Sequence, residues 1–293
     1  MSQQVLQLPG GRLEVWRSGE GPTVLVAHGC GFGASYRNNT WLAQELPNHQ
    51  VISVSRPGYG ETPLSTAPTF HDQAAMFIDV LDAIGVEDCV VLGMSASGPI
   101  ALLAARDHSS RIRGLVLWCA VARALPSHEI EEDQTNVDID VLEEELAAER
   151  AVYTQVLSDE SFAQAALPEL LRPAEMERYA LDPLLRASVR TYLEDQLVAP
   201  PAVAGVRNDL LQLRGLLGEG VDSRVPVPML VMHGEEDDIV PIAHARYLVA
   251  VNPSAQIDII AGAGHAVMHT FRPVVMLRVQ AFLDQLRLQR SVE

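Results

Sequence analysis

Ser95 is the residue whose surroundings indicate chemistry most strongly. It follows an apolar run from Val90 to Met94, and the small residues Ala96-Ser97-Gly98 come directly after it. This pattern predicts a strand that turns sharply into a helix, with the serine at the apex. Ser97 stands where a Gly-x-Ser-x-Gly motif has its second glycine. A serine hydroxyl becomes a nucleophile only with a base to take its proton and donors for the resulting oxyanion.

The donors for an oxyanion are expected from two pieces of backbone. The amide of Ala96 lies at the start of the predicted helix, where the helix dipole favours negative charge. A glycine-rich loop, His28-Gly29-Cys30-Gly31-Phe32-Gly33, follows an earlier apolar run. The second donor is expected to be the amide of Cys30 or of Gly31, and the sequence leaves that choice open.

The base and its carboxylate partner are expected much farther along the chain. His265 follows an apolar run over residues 256–260, and an acidic run over residues 235–238 follows another over residues 228–232. The carboxyl ends of parallel strands meet at one edge of a sheet, so these groups are expected beside Ser95. The remaining histidines lack such a setting and are expected at the surface or as capping residues: His49, His71, His108, His128, His233, His244 and His269.

The elements that must position these groups alternate between strands and helices. Apolar runs predict strands over residues 13–16, 23–27, 51–55, 89–92, 114–119, 228–232 and 256–260. Thr69 and Asp72 predict the start of a helix that ends at Gly85. The predicted fold class is therefore α/β, with a mostly parallel central sheet flanked by helices.

Residues 122–220 interrupt this alternation. Strand signals are missing there, and helical patterns follow one another until the α/β pattern resumes. We therefore predict a helical cap, residues 122–220, inserted into an α/β core of residues 1–121 and 221–293.

Composition narrows the range of partners. The net charge of −17 argues against nucleic-acid binding, and all 21 basic residues are arginine, which excludes lysine Schiff-base chemistry. No apolar run is long enough for a membrane span, and a signal peptide is not recognisable. The three cysteines have no metal-ligand spacing. We expect a cytoplasmic protein with a small-molecule substrate and no cofactor or metal ion; assembly of identical chains stays open.

Taken together, these motifs resemble the α/β-hydrolase fold superfamily with a helical cap. The resemblance covers roughly residues 12–120 and 225–290. It is carried by His28-Gly29, Arg56-Pro57-Gly58-Tyr59-Gly60, Gly93-Met94-Ser95, Gly234-Glu235-Glu236-Asp237, Val240-Pro241 and Gly264-His265. The chain order serine, acid, histidine is also that of the superfamily.

The resemblance implies a role for each of these residues. Ser95 would be the nucleophile, His265 the general base and Asp237 the carboxylate that orients it, with Asp238 as the rival acid. The amides of Ala96 and of Cys30 or Gly31 would form the oxyanion hole. His28 would mainly hold its loop.

The expected function is a serine hydrolase that acts on a small ester, lactone, thioester or related carbonyl compound through an acyl-enzyme. The loop of residues 28–33 is also similar to that of the meta-cleavage C–C bond hydrolases, so C–C bond hydrolysis is one alternative. A cofactor-free perhydrolase is another, because the same triad can pass an acyl group to peroxide. A non-catalytic ligand receptor on this fold is the alternative from a different class.

Overall fold

An eight-stranded sheet forms the centre of the fold in the computed structural model, which describes residues 2–31, 33, 35–122, 138–198, 200–219 and 223–290. Its strands lie in the order β1-β2-β4-β3-β5-β6-β7-β8, and the six from β4 onward in that order pair in parallel. The strands are β1 (Ser2–Leu8), β2 (Gly11–Ser18), β3 (Thr23–Ala27), β4 (Gln50–Val54), β5 (Cys89–Met94), β6 (Ile112–Trp118), β7 (Met229–Gly234) and β8 (Gln256–Ile260). The predicted fold class is confirmed.

The helices fall into two groups. One group flanks the sheet: α1 (Leu42–Glu45), α2 (Phe70–Ile84), α3 (Gly98–Asp107), α9 (Ala243–Val251), α10 (Val267–Thr270) and α11 (Arg272–Arg290). The other lies between β6 and β7: α4 (Ile139–Ser158), α5 (Glu160–Leu170), α6 (Pro173–Leu181), α7 (Pro183–Val198) and α8 (Val203–Glu219). Among the described helices, none is both long and apolar enough to cross a membrane.

Burial of both sheet faces explains why the central strands read as continuous apolar runs. Every residue of β3, β4 and β5 is buried. Side chains of α2, α3 and α9 pack on one face of the sheet, and side chains of α1, α10 and α11 pack on the other. Such two-sided cover is what a parallel sheet requires.

The start and end of α2 match their prediction. Thr69 caps the helix by accepting from the Asp72 amide, and the Asp72 side chain accepts from the Thr69 amide in return. Gly85 ends the helix with a φ of 70°, the left-handed conformation that glycine adopts without a steric penalty.

The antiparallel edge strand β1 is absent from the prediction. Its seven positions hold only three apolar residues, Val5, Leu6 and Leu8, and exposed side chains alternate with partly or fully buried ones over residues 3–8. A short edge strand has few apolar residues, because it pairs with a neighbouring strand on one side only and one of its faces is exposed to solvent.

The helices α4 to α8 pack around an apolar cluster of their own. Tyr59 from the core side joins that cluster, so the two parts share a packed boundary. The boundaries of the helical cap at residues 121/122 and 220/221 stay a prediction. Residues 123–137 and 220–222, which adjoin these boundaries, lie outside the described part of the chain.

Candidate active site

Ser95 occupies a strained turn between β5 and α3. Its φ is 50°, a left-handed conformation that is uncommon for a residue with a side chain. A short 3-10 turn over Ser95–Ser97 leads directly into the helix at Gly98. The strand, sharp turn and helix are those expected for a serine presented at the carboxyl edge of the sheet.

Two glycines give this turn the space it needs. A Cβ atom on Gly98 would lie 2.3 Å from the carbonyl oxygen of Val121. A Cβ atom on Gly29 would lie 2.9 Å from Ser95 Cβ. The glycine-rich loop after β3 therefore packs directly against the serine, which accounts for its small residues.

Ser97 has a structural role that a glycine could not perform. Its hydroxyl is fully buried and accepts from the amide of Met94 at 2.8 Å. The same oxygen lies 2.9 Å from the carbonyl oxygens of Ala27 and of Met94, to which it can donate. Ser97 thus ties the turn that carries Ser95 to the end of β3.

His265 and Asp237 meet at the same edge of the sheet. The Nδ1 atom of His265 lies 2.8 Å from Oδ2 of Asp237. The other carboxylate oxygen accepts from the amides of Ile239 at 3.0 Å and Val240 at 2.8 Å. Burial opposes ionisation of Asp237, but the hydrogen bonds from His265, Val240 and Cys119 outweigh it and lower the pKa of this carboxyl.

Asp238 lies away from this pair. Its side chain is exposed and forms an ion pair with Arg172 at 3.0 Å. The structure therefore brings Asp237, and not Asp238, to His265.

Cys119 and His233 lie behind Asp237, and the sequence analysis missed both. Cys119 follows β6 with a φ of 44°, and its thiol hydrogen-bonds to the Asp237 carboxylate. His233, in β7, donates from Nε2 to the carbonyl oxygen of Val240 at 2.7 Å. It is fully buried, so the expectation of a surface or capping residue is wrong for His233, as it is for the buried His49, His244 and His269. His128 lies outside the described residues.

Cys119, Asp237 and His265 also form the only group among the described residues that could hold a metal ion. Their ligand atoms lie within 4.8 Å of one another. Burial, followed by the charge of Asp237, raises the pKa of the Cys119 thiol well above its usual value. Asp237 already accepts from Nδ1 of His265 and from the amides of Ile239 and Val240, so these residues fit a hydrogen-bonded network better than a metal centre.

The loop that follows β3 is held by Arg56. Its backbone amide donates to Nε2 of His28 at 2.9 Å, which leaves His28 Nδ1 to donate to the carbonyl oxygen of Gly29 at 2.7 Å. The guanidinium donates to the carbonyl oxygens of His28 at 2.8 Å and Gly29 at 3.1 Å. Burial, followed by the charge of Arg56, lowers the pKa of His28, so this imidazole is neutral and structural.

The residues predicted to donate to an oxyanion come from the loop after β3 and from the turn that begins at Ser95. Cys30 lines the same cavity as the serine, Ala96 is buried at the turn, and Gly31 is half-buried outside the cavity wall. Burial, followed by the charge of Asp209, raises the pKa of the Cys30 thiol to about 12. Cys30 is thus a neutral thiol in the wall of the cavity. Phe32 of this loop lies outside the described residues.

A cavity of about 170 Å³ joins these groups. Apolar side chains from α5 and α7 cover it, and three amide side chains lie on its wall. Its lining comprises His28, Gly29, Cys30, Asn38, Asn39, Met94, Ser95, Tyr153, Leu170, Leu171, Val189, Tyr192, Leu193, Gln196, Ile239, His265, Ala266, Met268 and His269. Within the described part of the chain, no acidic residue and no arginine lines it.

A carboxylate from the helical insertion holds the loop that carries His265. Glu175, on α6, is fully buried and accepts from the amide of Gly264 at 3.2 Å and from Oγ1 of Thr270 at 2.5 Å. The sequence carries no signal for this contact, because Glu175 is far from both partners along the chain.

Comparison with known proteins agrees with this architecture. The chain is 33% identical, over 97% of its length, to part of the polyketide synthase ThaQ of Burkholderia thailandensis, of which it spans only 13%. It is 26% identical to a 2-hydroxymuconate semialdehyde hydrolase of Pseudomonas putida, covering 87% of the chain and 85% of that enzyme.

A solved structure and a family model support the same fold. An alpha/beta hydrolase fold protein from Nakamurella multipartita superposes with a TM-score of 0.71 at 24% identity, covering 95% of this chain and 98% of the other. The family model described as alpha/beta hydrolase fold matches residues 22–271. The chain therefore belongs to the alpha/beta hydrolase fold family.

Proposed function

We propose that this hydrolase cleaves a small ester, thioester or lactone through a covalent acyl-enzyme on Ser95. One observation carries the proposal: the strained Ser95 and the Asp237-bound His265 line the same cavity. A nucleophile, a base and a carboxylate that orients the base are the groups that acyl transfer needs.

The hydrogen bond between His265 and Asp237 supports one placement of the protons. Asp237 accepts from Nδ1–H, so Nε2 is the nitrogen left to act as the proposed base. In the proposed first step, Nε2 takes the proton of Ser95 while Oγ attacks the acyl carbonyl. The ionised Asp237 then stabilises the imidazolium, which returns the proton to the leaving alcohol or thiol. Water activated by the same nitrogen releases the acid and restores Ser95.

The carbonyl oxygen becomes negative during both attacks. The amides of Ala96 and of Cys30 or Gly31 are the proposed donors to it. Arg56 supports this role indirectly, because it binds the carbonyl oxygens of His28 and Gly29 and so orients the peptide planes of the loop.

Labelling with a fluorophosphonate tests the nucleophile, and a panel of p-nitrophenyl esters of increasing chain length tests the activity. Wild type should be labelled and should hydrolyse short esters, whereas Ser95→Ala should lose the label and at least about 1,000-fold in kcat. Ser110→Ala, an exposed serine in another loop, is the matched control. Undiminished labelling of Ser95→Ala would overturn the assignment, and binding of esters without labelling or turnover would favour a receptor.

A second candidate is C–C bond hydrolysis, for which the 2-hydroxymuconate semialdehyde hydrolase is the supporting relative. The substrate of such a reaction would be a vinylogous keto acid, which carries a carboxylate. Turnover of a coloured dienol-keto acid at a higher kcat/KM than any ester in the panel would favour this candidate over the ester hydrolase.

A further inference from the structure

Asn39 has a side chain whose polar atoms have no hydrogen-bond partner among the described residues. Its Oδ1 and its Nδ2 are both buried without a hydrogen bond, and the residue is only 1% exposed. A buried amide group without partners is costly, so native proteins keep few of them. Asn39 lines the cavity that contains Ser95, which is where a bound molecule would supply the missing partners.

The neighbouring Asn38 shows what a structural asparagine looks like in the same turn. Its Oδ1 accepts from the amide of Ser35 at 2.7 Å, and its carbonyl oxygen accepts from Nε1 of Trp41 at 3.0 Å. Only its Nδ2 is left without a partner. Asn38 therefore stabilises the turn, whereas the side chain of Asn39 makes no hydrogen bond to the described residues of this turn.

Gln196 adds one more unpartnered atom to the same cavity. The side chain of this α7 residue has its Oε1 atom buried without a donor among the described residues. The cavity thus offers free amide donors on Asn38 and Asn39, and free acceptors on Asn39 and Gln196.

The polar groups of the cavity wall favour an uncharged ligand over a charged one. An amide with both atoms free matches a group that accepts and donates at once, such as a hydroxyl or a carboxamide. A carboxylate would satisfy Nδ2 but meet the Asn39 oxygen with a second acceptor, and no arginine lines the wall within the described residues. An ammonium group would likewise lack a carboxylate partner there.

We propose that Asn39, with Asn38 and Gln196, is a specificity-determining site for an uncharged hydroxyl or carboxamide on the acyl part of the substrate. The inference rests on the proposed function, because it names the substrate of the same cavity. A site built for such a group disfavours an analogue that lacks it, since the buried amides then stay unpaired.

Matched esters test the site by turnover. Wild type should hydrolyse the p-nitrophenyl ester of 3-hydroxybutyrate roughly 10- to 100-fold better, in kcat/KM, than that of butyrate. The p-nitrophenyl monoesters of succinamic acid and succinic acid separate a carboxamide from a carboxylate, and the carboxylate should be the poorest of the four. A preference for the charged monoester, or equal kcat/KM for the hydroxylated and plain esters, would overturn the proposal.

Two variants assign the preference to Asn39. Asn39→Leu should remove the preference, so that the 3-hydroxybutyrate and butyrate esters have equal kcat/KM, because the polar contacts are lost. Asn39→Asp keeps the shape, replaces the donor with an acceptor, and should also lose the preference if the leucine variant does not fold. Thr40→Val, in the same turn but outside the cavity wall, should retain it. An unchanged preference in both Asn39 variants would remove Asn39 from the site.

Binding separates this proposal from the proposed function. Ligand-observed NMR titration of Ser95→Ala with methyl 3-hydroxybutyrate and methyl butyrate needs no turnover. Tighter binding of the hydroxylated ester, in a protein whose wild type hydrolyses no ester, would contradict the catalytic proposal alone. Equal affinities would contradict the specificity site alone, whatever the wild type hydrolyses.

Discussion

Arg56 and Asp209 form a fully buried ion pair that links the helical insertion to the loop beside Ser95. Asp209 lies on α8, and its Oδ1 accepts from NH1 of Arg56 at 2.8 Å. Its Oδ2 contacts the second guanidinium nitrogen and accepts from the hydroxyl of Tyr59 at 2.6 Å. Burial alone would lower the pKa of Arg56, but Asp209 outweighs it and raises that pKa. Arg56 is therefore charged, and Asp209 is its buried counter-ion.

Removal of the counter-ion should destabilise the protein and the active-site loop together. Asp209→Ala leaves the Arg56 charge buried without a carboxylate, which typically costs about 3–5 kcal/mol of unfolding free energy. Because Arg56 also binds the carbonyl oxygens of His28 and Gly29, kcat should fall as well. Denaturant unfolding and ester kinetics measure the two effects.

The exposed ion pair between Arg111 and Asp82 provides the control. Its atoms lie 2.7 Å apart, but the Asp82 side chain is 62% exposed. Asp82→Ala should therefore change the unfolding free energy by less than about 1 kcal/mol. Equal losses in the two variants would show that burial does not distinguish these pairs.

Ser97 should matter for stability although it is not expected to touch substrate. Ser97→Ala removes the acceptor of the Met94 amide and a donor at the end of β3, in a fully buried place. A buried polar group left without its partner costs about 1–3 kcal/mol. We expect this decrease in the unfolding free energy measured with denaturant. We also expect a lower kcat, because the turn at Ser95 loses its hydrogen bond to the end of β3. A change below about 0.5 kcal/mol would show that the hydroxyl is dispensable.

The sequence predicts the location of a side chain best when that side chain directly follows a recognisable strand. The ends of β5, β7 and β8 carry Ser95, Asp237 and His265, so parallel strand order was enough to bring them to one edge. The contacts it missed are made between distant segments: Asp209 lies 153 residues from Arg56, and Glu175 lies 89 residues from Gly264. No local pattern encodes such pairs, because they depend on how the helices of the insertion pack on the core.

Histidine burial should make the protein sensitive to mild acid. Burial, followed by the charge of Arg272, lowers the pKa of His269 from 6.5 to about 3. Below pH 6.5 the unfolded chain therefore binds a proton that the folded protein excludes, so this contribution to stability is complete above pH 6.5 and is lost progressively as the pH falls toward 3. His28 and His233 have lowered pKa values for the same reason and act in the same direction.

His269→Gln tests how much one of these histidines contributes to the pH dependence of stability. Its unfolding free energy should fall less steeply between pH 6 and pH 5 than that of wild type, by about 1.4 kcal/mol per pH unit. The absolute stability at pH 7 should also drop, because His269 packs against Tyr192 at 4.6 Å between ring centres. The slope is thus the decisive quantity. His71→Gln, at an exposed position, controls for loss of a histidine as such; identical slopes in wild type and His269→Gln would contradict the prediction.

Gly29→Ala should impair catalysis more than folding. The new Cβ atom would lie 2.9 Å from Ser95 Cβ and 3.5 Å from Ser95 Oγ, so the serine or the loop must shift by a few tenths of an ångström. Small displacements of a nucleophile can cost roughly 100-fold in rate, whereas modest overpacking costs about 1–3 kcal/mol of stability. We therefore expect a large loss of kcat and of fluorophosphonate labelling in a folded protein. Gly215→Ala, where the added Cβ would meet no described atom within 4 Å outside its own helix, should retain both. Full activity in Gly29→Ala would mean that the close approach of this loop to Ser95 is not needed for catalysis.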